Sequence, residues 1–552
     1  MKRIKRIIPL LVCLAIFNST FAQFTGGFES NAAFYIDDSK IKLETTDAKY
    51  RLRSNNYLRL DYAAKHFTFG LQAEAYQAKA LLNYSSKFKG ANIANYYANY
   101  KNDSIGLDVT LGHFYEQFGS GLVLRSWEDR QLGIANSIAG VKVKYQPLSS
   151  IQLTALYGKQ RNGLGFNFSD GTIAGLNSDI NLANIFKSKK WQYNFGVSYV
   201  NRQDPSNFSD LSANTYLTSA RAGVQKGAFS ADVEYAFKTA DALVEFGNVK
   251  PDLQFDGDAY LVNASYSSKG FGINANFRRV ENFSIYSQRN LAGNIRNEAI
   301  VNYIPSLTKQ YDYSLTNIYV YAAQPGLSFE PNRNKAGEIG GQIDVVYQIK
   351  PKTFFGGKYG INLSFNFAEY HGLQGLYDAV GRRYKADLAS FGTKYYHEVG
   401  TEIRKKWSQK VTSNLTYLNQ FYNARFVQET DGDVNANTIV LENTIQFKKA
   451  RSIRFELQHQ WADGSFKNWA GAQVEYNMGS RWSFFAADLY NYGNDEEINK
   501  LHFYNAGSVY KSNALRLQLS YGRQRGGLIC VGGVCRFVPQ SAGLNLAVNY
   551  SF

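Results

Sequence analysis

Apolar and polar residues alternate along most of this chain. In one of the clearest stretches Leu58, Leu60 and Tyr62 share a face, Ala64-Lys65-His66 forms a turn, and Phe67, Phe69, Leu71, Ala73 and Ala75 return on the same face. Arg59, Asp61, Gln72 and Glu74 occupy the other face. A period of two predicts antiparallel strands with one greasy side. The chain ends in the same way: Leu544, Leu546, Val548, Tyr550 and Phe552 alternate with Asn545, Ala547, Asn549 and Ser551.

Similar runs recur from Gly26 onward, and the connections between them alternate short and long. Short ones fall near Ala64, Asp103, Leu148, Lys189, Gly227, Ser268, Pro351, Gln409, Ala450, Gly479 and Ser512. Long ones are expected at Gln77 to Asn92, Tyr115 to Gly140, Asn162 to Ser178, Asn201 to Ser212, Thr239 to Gly257, Val280 to Gly337, His371 to Lys394 and Gly522 to Gln540. About eleven short turns between two termini on one side predict an all-β transmembrane antiparallel barrel of about 24 strands, within a range of about 22–26. The upper bound allows for Ala299 to Ile304 and Ser314 to Tyr321, which read as strand-like. Barrels of this class place short turns in the periplasm and long loops outside. The terminal strand, ending on Tyr550 and Phe552, resembles the barrel-closing signal of outer-membrane proteins.

Composition agrees with that picture: 40 Tyr, 38 Phe and 47 Gly stand beside only 9 Pro. No stretch after the first residues approaches the ~20 apolar residues of a membrane helix. A large secreted β-sandwich or propeller is the competing all-β reading. Residues 1–22 read as a signal peptide, with Lys2, Arg3, Lys5 and Arg6 before the apolar run Ile7 to Phe17 and then Thr20-Phe21-Ala22. The barrel is expected over 23–552, leaving no room for a separate N-terminal plug. The net charge of +16 is dispersed, without the basic tail or arginine-rich helix that nucleic acid would call for. Most short turns carry Lys or Arg, which suits a ring of cations against lipid phosphates as well as it suits ordinary polar turns.

Chemistry is sparse. The six histidines form no H-x-x-x-H or H-E-x-x-H pair, there is no G-x-S-x-G, P-loop or C-x-x-C, and Asp431-Gly432-Asp433 is a turn signal before it is a calcium site. Ser120 near His113 is the only Ser/His neighbourhood in a rich loop, so no enzyme and no cofactor are expected. If Gly532-Gly533 forms a two-residue turn, Cys530 and Cys535 face each other as a cross-strand pair, and a disulfide is expected. In the long segment after Gly112, a Gly-Ser-Gly hinge precedes Arg125, Glu128, Asp129 and Arg130, with Glu116 before it. Folded inward, such a loop forms a charged constriction; folded on itself, it caps the barrel.

The face opposite the lipid side gives lumen residues Arg59, Asp61, Asp232, Glu234, Asp344, Glu398, Glu402, Arg404, Arg454, Glu456 and Arg516. Their mixed signs argue against a strongly single-sign filter. Side chains alone cannot fill so wide a cylinder, so water, inserted loops or a partner must. Val280 to Gly337 is the candidate insert.

The segment from Gly112 to Arg130, with Ile304-Pro305-Ser306-Leu307-Thr308-Lys309-Gln310-Tyr311, Tyr319-Val320-Tyr321-Ala322-Ala323-Gln324-Pro325 and the Cys-Val-Gly-Gly-Val-Cys hairpin, resembles an uncharacterised outer-membrane barrel family of the Bacteroidota. The resemblance implies the fold and the outer membrane of a Gram-negative bacterium, and transfers no catalytic residue. The expected function is a passive or gated channel for polar solutes. The alternative is a non-conducting barrel serving as a structural or assembly component of a secretion or surface-protein complex. Expected partners are outer-membrane lipids, the barrel assembly machinery during biogenesis and a membrane-protein partner, with no nucleic acid.

Overall fold

The computed structural model describes residues 22–552 except 45–49, 83–84, 187, 206–209, 246–247, 292–293, 295–297, 306–307, 331, 431, 465 and 532–533, and the side chains of 22 and 529–535. The signal segment therefore lies outside the described residues, as does Asp431.

A single antiparallel sheet of 24 strands forms the body. Its first strands are β1 (Ala22–Tyr35), β2 (Leu52–Ala64), β3 (Phe67–Gln77), β4 (Gly90–Asn102), β5 (Leu107–Phe114) and β6 (Ile138–Leu148). There follow β7 (Ile151–Arg161), β8 (Phe168–Asn181), β9 (Gln192–Gln203), β10 (Asn214–Lys226), β11 (Phe229–Glu245) and β12 (Asn248–Ser268). The next are β13 (Phe271–Glu281), β14 (Gly337–Ile349), β15 (Ile361–Asp378), β16 (Arg383–Lys406), β17 (Val411–Asn423) and β18 (Asp433–Lys448). The last are β19 (Arg451–Ala462), β20 (Trp469–Met478), β21 (Trp482–Tyr490), β22 (His502–Ser512), β23 (Leu515–Gln524) and β24 (Ser541–Ser551). Each strand pairs with its neighbours in sequence, and β24 pairs with β1 through registers such as Phe28↔Tyr550, so the sheet closes.

Closure is secured at the terminal residue. The Phe552 N–H donates to Gly26 O at 2.9 Å and Gly26 N–H donates to Phe552 O at 2.8 Å. Any side chain at Gly26 would collide with the Phe552 ring, whose Cζ lies 2.4 Å from where a Cβ would stand. Closure leaves no unpaired strand edge within the bilayer, which a spanning sheet requires.

Alternation sorts the two faces. Phe69, Leu111, Leu153, Val233, Ile343, Phe365, Leu457 and Leu546 stand exposed on the outside, the surface that lipid covers. Aromatic residues accompany them near the short-turn rim, where Lys226 lies over Trp191 and Lys405 over Trp407, each at 4.4 Å. All the short turns anticipated from the sequence are present, and that rim is the periplasmic one by the rule of the class.

The long connections differ from expectation in places. Asn162 to Ser178 is mostly β8, while Thr239 to Gly257 and His371 to Lys394 are extensions of β11, β12, β15 and β16 beyond the bilayer. Ala299 to Ile304 and Ser314 to Tyr321 form no strands; the second holds a single 3-10 turn, Leu315–Asn317.

Candidate functional site

Two long loops fold into the barrel, and their contacts define its interior. The first, residues 115–137, carries the predicted charge cluster. Short paired segments, Gln117–Phe118 with Leu124–Arg125 and Glu128–Asp129 with Ile134–Ala135, give it its own ladders. Glu116 pairs with Lys142 at 3.2 Å and Lys144 at 2.8 Å on β6. Across the lumen, Ser120 N–H donates to Glu234 on β11 at 2.9 Å. Arg130 reaches Glu29 on β1 at 2.6 Å and Glu128 at 3.1 Å, and Glu128 accepts from Gln72 at 3.1 Å. Burial opposes the charge on Arg130, but Glu128 and Glu29 outweigh it and hold the guanidinium above its usual pKa. Asp129 accepts the Leu132 N–H at 2.9 Å within its own turn. The loop is thus inward-folded, with Glu116 and Arg130 ion-paired to the wall.

Arg125 joins the first loop to the second. Its guanidinium stacks on Tyr303 at 3.9 Å and Trp127 at 4.7 Å. Its backbone N–H donates to Val301 O at 2.8 Å, and Tyr303 N–H donates to Gly121 O at 3.0 Å.

The second loop, residues 282–336, runs down the lumen nearly to the periplasmic rim. At its outer end Arg289 holds Asp241 at 2.8 Å, and its N–H donates to Asp204 at 2.9 Å. At its deepest point Lys309 donates to Ser364 at 3.0 Å and pairs with Glu402. Tyr313 Oη accepts from Asn414 at 2.8 Å. Ser364 and Asn414 are each the fourth residue of their strand from the periplasmic turn. Tyr311 passes so close to β16 that its hydroxyl lies 2.0 Å from where a Cβ of Gly400 would stand, so any side chain there would displace it. On the return, Leu315 is held through both its N–H and C=O by Gln458 and Gln460 of β19, and Tyr321 stacks on Tyr370 at 4.7 Å and Tyr396 at 5.1 Å. Tyr321 and the Gln324 N–H both reach Glu338, which is ion-paired to Arg278. Burial pushes the Lys335 ammonium, close to the end of this loop, down to about 8.

Together the loops give the outer half of the lumen a hydrophobic core. Phe118, Leu122, Val123, Phe283, Ile285 and Val301 pack on inward-facing Leu156, Ile173, Val200, Leu217 and Ala236 of the wall. Several buried charges in this half are paired: Arg161 grips Glu74 through two bonds of 3.0 and 2.5 Å, and Tyr76 donates to the same carboxylate at 2.6 Å. The hairpin Gly527–Val531/Val534–Val538 lies over this plug, with Arg536 donating to Leu82 O at 3.1 Å and Gly133 O at 3.2 Å.

Below that core the second loop fills part of the lumen with its tip around Lys309 to Tyr313, and the remainder is open. Cavities of about 740, 470 and 450 Å³ open between the loops and the periplasmic ends of the strands. The predicted lumen residues lie here or at the boundary. Arg59 pairs with Asp61 at 2.7 Å, and Tyr97 donates to that carboxylate at 2.8 Å. Asp232 accepts from Asn263 at 2.7 Å, and Arg516 donates to Gln518 at 2.7 Å. Arg404 lines the cavity of about 740 Å³ beside Glu402. Arg454 is surrounded by Glu442 at 3.0 Å, Glu456 at 3.2 Å and Glu475 at 3.6 Å. Asp344 accepts from Asn366 at 2.7 Å, and Glu398 is buried against Tyr396. The wall from β14 to β20 is therefore richer in carboxylates than in cations.

A family model described as a family of unknown function matches residues 1–552. The chain belongs to that family, DUF6029. No curated protein matches it. Among solved structures, the translocation pore of the P pilus usher PapC is 9% identical, covering 96% of this chain and 99% of that one at a TM-score of 0.40. The siderophore receptor PirA from Pseudomonas aeruginosa is 9% identical, with 96% and 80% covered at 0.41, and the copper transporter OprC is 10% identical, with 97% and 84% covered at 0.40. These are similar in outline only, and nothing about solute or partner transfers from them.

In this DUF6029 barrel the residues that sequence reasoning missed are those of the plug interface: Glu74, Arg161, Arg202, Asp241, Arg278, Arg289 and Glu338. Each pairs with a residue far away in sequence, so no local pattern marks it. Ser120 and His113 do not meet as a pair, since His113 Nδ1 contacts Ser137 Oγ at 3.0 Å. The ladder places Cys530 opposite Cys535; their side chains lie outside the described residues.

Proposed function

We propose that this barrel is an outer-membrane channel that is closed at rest and opened from the periplasmic side. The observation that carries the reading is a plug with its own hydrophobic core in the outer half of the lumen, above a hollow, charged vestibule. Each apolar side chain in that core stabilises the closed state by roughly 1.5–3 kcal/mol, so the plug as a whole is held by on the order of tens of kcal/mol as an upper bound. Such a core disfavours spontaneous opening, so in this reading the channel is gated and a binding partner displaces the plug. The carboxylate-rich β14–β20 wall favours small polar cations over anions. In this reading residues 1–22 direct export, the assembly machinery inserts the barrel into the outer membrane, and a Cys530–Cys535 disulfide stiffens the hairpin over the plug.

Planar-bilayer recording of the purified barrel tests it. The intact protein is expected to be silent, and replacement of residues 286–334 by a short Gly/Ser linker is expected to give steady, cation-preferring conductance. Steady conductance from the intact protein would sink the gate.

Silence from both proteins would favour the second reading, an assembly component. One observation supports that reading. The turn between β14 and β15 is tied by Thr353 Oγ1 donating to Lys350 O at 2.8 Å and by Gly357 N–H donating to Thr353 O at 2.9 Å. It holds Phe354 at 94% and Phe355 at 72% exposure. Lys350, Lys352 and Lys358 flank them without an acidic residue. An apolar tip with a basic surround fits an acid-rimmed pocket on a periplasmic protein.

A further inference from the structure

The outer surface of the barrel carries a polar cluster that neither the plug nor the vestibule uses. On β15, Glu369 and His371 point to the lipid side, as Phe365 and Phe367 do below them. Glu369 Oε1 lies 2.7 Å from His371 Nε2, and its Oε2 lies 3.1 Å from Nδ1 of His397, its direct cross-strand partner on β16. His371 is fixed a second time, its Nδ1 being 3.0 Å from Gly392 O, and its ring meets Phe391 edge-on at 5.3 Å. His397 meets Phe367 edge-on at 5.4 Å. Its remaining nitrogen has no partner among the described residues.

This cluster closes the upper end of an apolar furrow of about 710 Å³. Val262, Ala264, Ala275, Phe277, Ile343 and Phe367 line the furrow. Its width comes from small residues: Ala264 and Ala275 are cross-strand partners, and Gly341, opposite Glu369, has no side chain.

The height of the cluster is readable from β14. Ile343, opposite Phe367, is 40% exposed to the lipid side. Ile339, opposite His371, is 1% exposed because it packs with Leu327, Phe329 and Leu373 in the extracellular cluster. The lipid-covered surface therefore ends at Gly341 and Glu369, under the overhang that carries Phe391. A carboxylate is tolerable on the lipid face near this interface and costly deeper in the bilayer.

We propose that the furrow is a lipid-binding site selective for an ammonium headgroup. An acyl chain lies along Val262, Ala264, Ala275 and Ile343, and the ammonium donates to the Glu369 carboxylate, whose side chain is 35% exposed, and to the free nitrogen of His397. The two open groups are acceptors, which match a donor-rich cation, while both ring nitrogens of His371 are already spent on Glu369 and Gly392 O and offer an anionic headgroup no free donor. His371 and His397 fix the carboxylate in place before the lipid arrives. The assignment is independent of whether the lumen conducts.

Native mass spectrometry of the full barrel, equilibrated in detergent with equimolar phosphatidylethanolamine and phosphatidylglycerol, tests it. Phosphatidylethanolamine is expected to be retained about tenfold better, a difference of about 1.4 kcal/mol. Glu369→Gln removes that preference and His397→Ala reduces it, whereas Ala264→Leu, which fills the furrow, lowers retention of both lipids. An aminoacyl lipid without phosphate is retained as well as phosphatidylethanolamine. Heat-modifiable migration on a gel confirms that each variant is folded. Equal retention of the two phospholipids, a preference that survives Glu369→Gln, or an aminoacyl lipid that behaves like phosphatidylglycerol would each overturn the proposal.

Discussion

The outer and periplasmic halves of the lumen are lined by the same strands, yet they are built on different physics. Along β11, inward-facing Asp232 is exposed, while Glu234, Ala236 and Lys238 on the same face are buried. Along β19, Arg454 stands half-buried in the vestibule, and Glu456, Gln458 and Gln460 above it are enclosed by the second loop. In the lower half, charges meet water and pair loosely. In the upper half, inward positions meet protein: Leu156, Ile173, Val200 and Leu217 are apolar, Gln458 and Gln460 bond loop backbone, and Arg161 is locked in a buried ion pair with Glu74. What a lumen-facing residue does therefore depends on its height, and an unbranched sheet can carry a protein core and an aqueous chamber on one face.

This contrast can be broken most sharply by removing the plug. Replacing residues 286–334 is expected to convert a silent barrel into a conducting one, the largest change available, read as single-channel current. Next in size is a broken buried pair. Arg161→Ala strands Glu74 in the core, and urea unfolding in lipid vesicles should show a loss of about 3–5 kcal/mol; the double change Glu74→Leu with Arg161→Met should cost far less.

If Cys530 and Cys535 form the proposed disulfide, reducing it should loosen the hairpin locally by about 2 kcal/mol, as expected for a short loop, measured by amide exchange of residues 527–538. Unchanged exchange would mean that no bridge forms. The smallest stability effect belongs to the vestibule: Arg59→Ala should alter stability by no more than about 1 kcal/mol. In the plug-deleted barrel the same substitution should shift reversal potential toward cations, because it leaves Asp61 without its partner.

Much of the barrel was legible along the chain because lipid imposes a strict rule. Every second residue of a spanning strand must be apolar, as at Leu544, Leu546 and Val548, and each tight turn interrupts the run where the sheet reverses. The rule lapses beyond the bilayer, where both faces of a hairpin are wet. Residues 371–394 and 239–257 consequently looked like loops although they are largely strand. It lapses again inside the plug: Leu156, Ile173, Val200 and Leu217 point inward and are apolar, and Ala299 to Ile304 looked like a strand because it supplies core residues to a loop. The charge cluster at Glu116 to Arg130 was visible as a cluster, but its partners Glu29, Gln72, Lys142 and Lys144 were not, since they come from β1, β3 and β6.

Sequence alone determined a closed, period-two cylinder of about 24 strands, its short-turn rim, its terminal closing strand and the two segments that had to go somewhere. Those features are set by local alternation against a uniform solvent. Only the tertiary structure decided that the first segment turns inward beside the expected insert, that the two share a core with the upper wall, and that Glu369, His371 and His397 converge under an overhang on the lipid face. Such contacts join residues tens to hundreds of positions apart. Their free energy depends on which surfaces meet, and the alternation of a single strand carries no record of that.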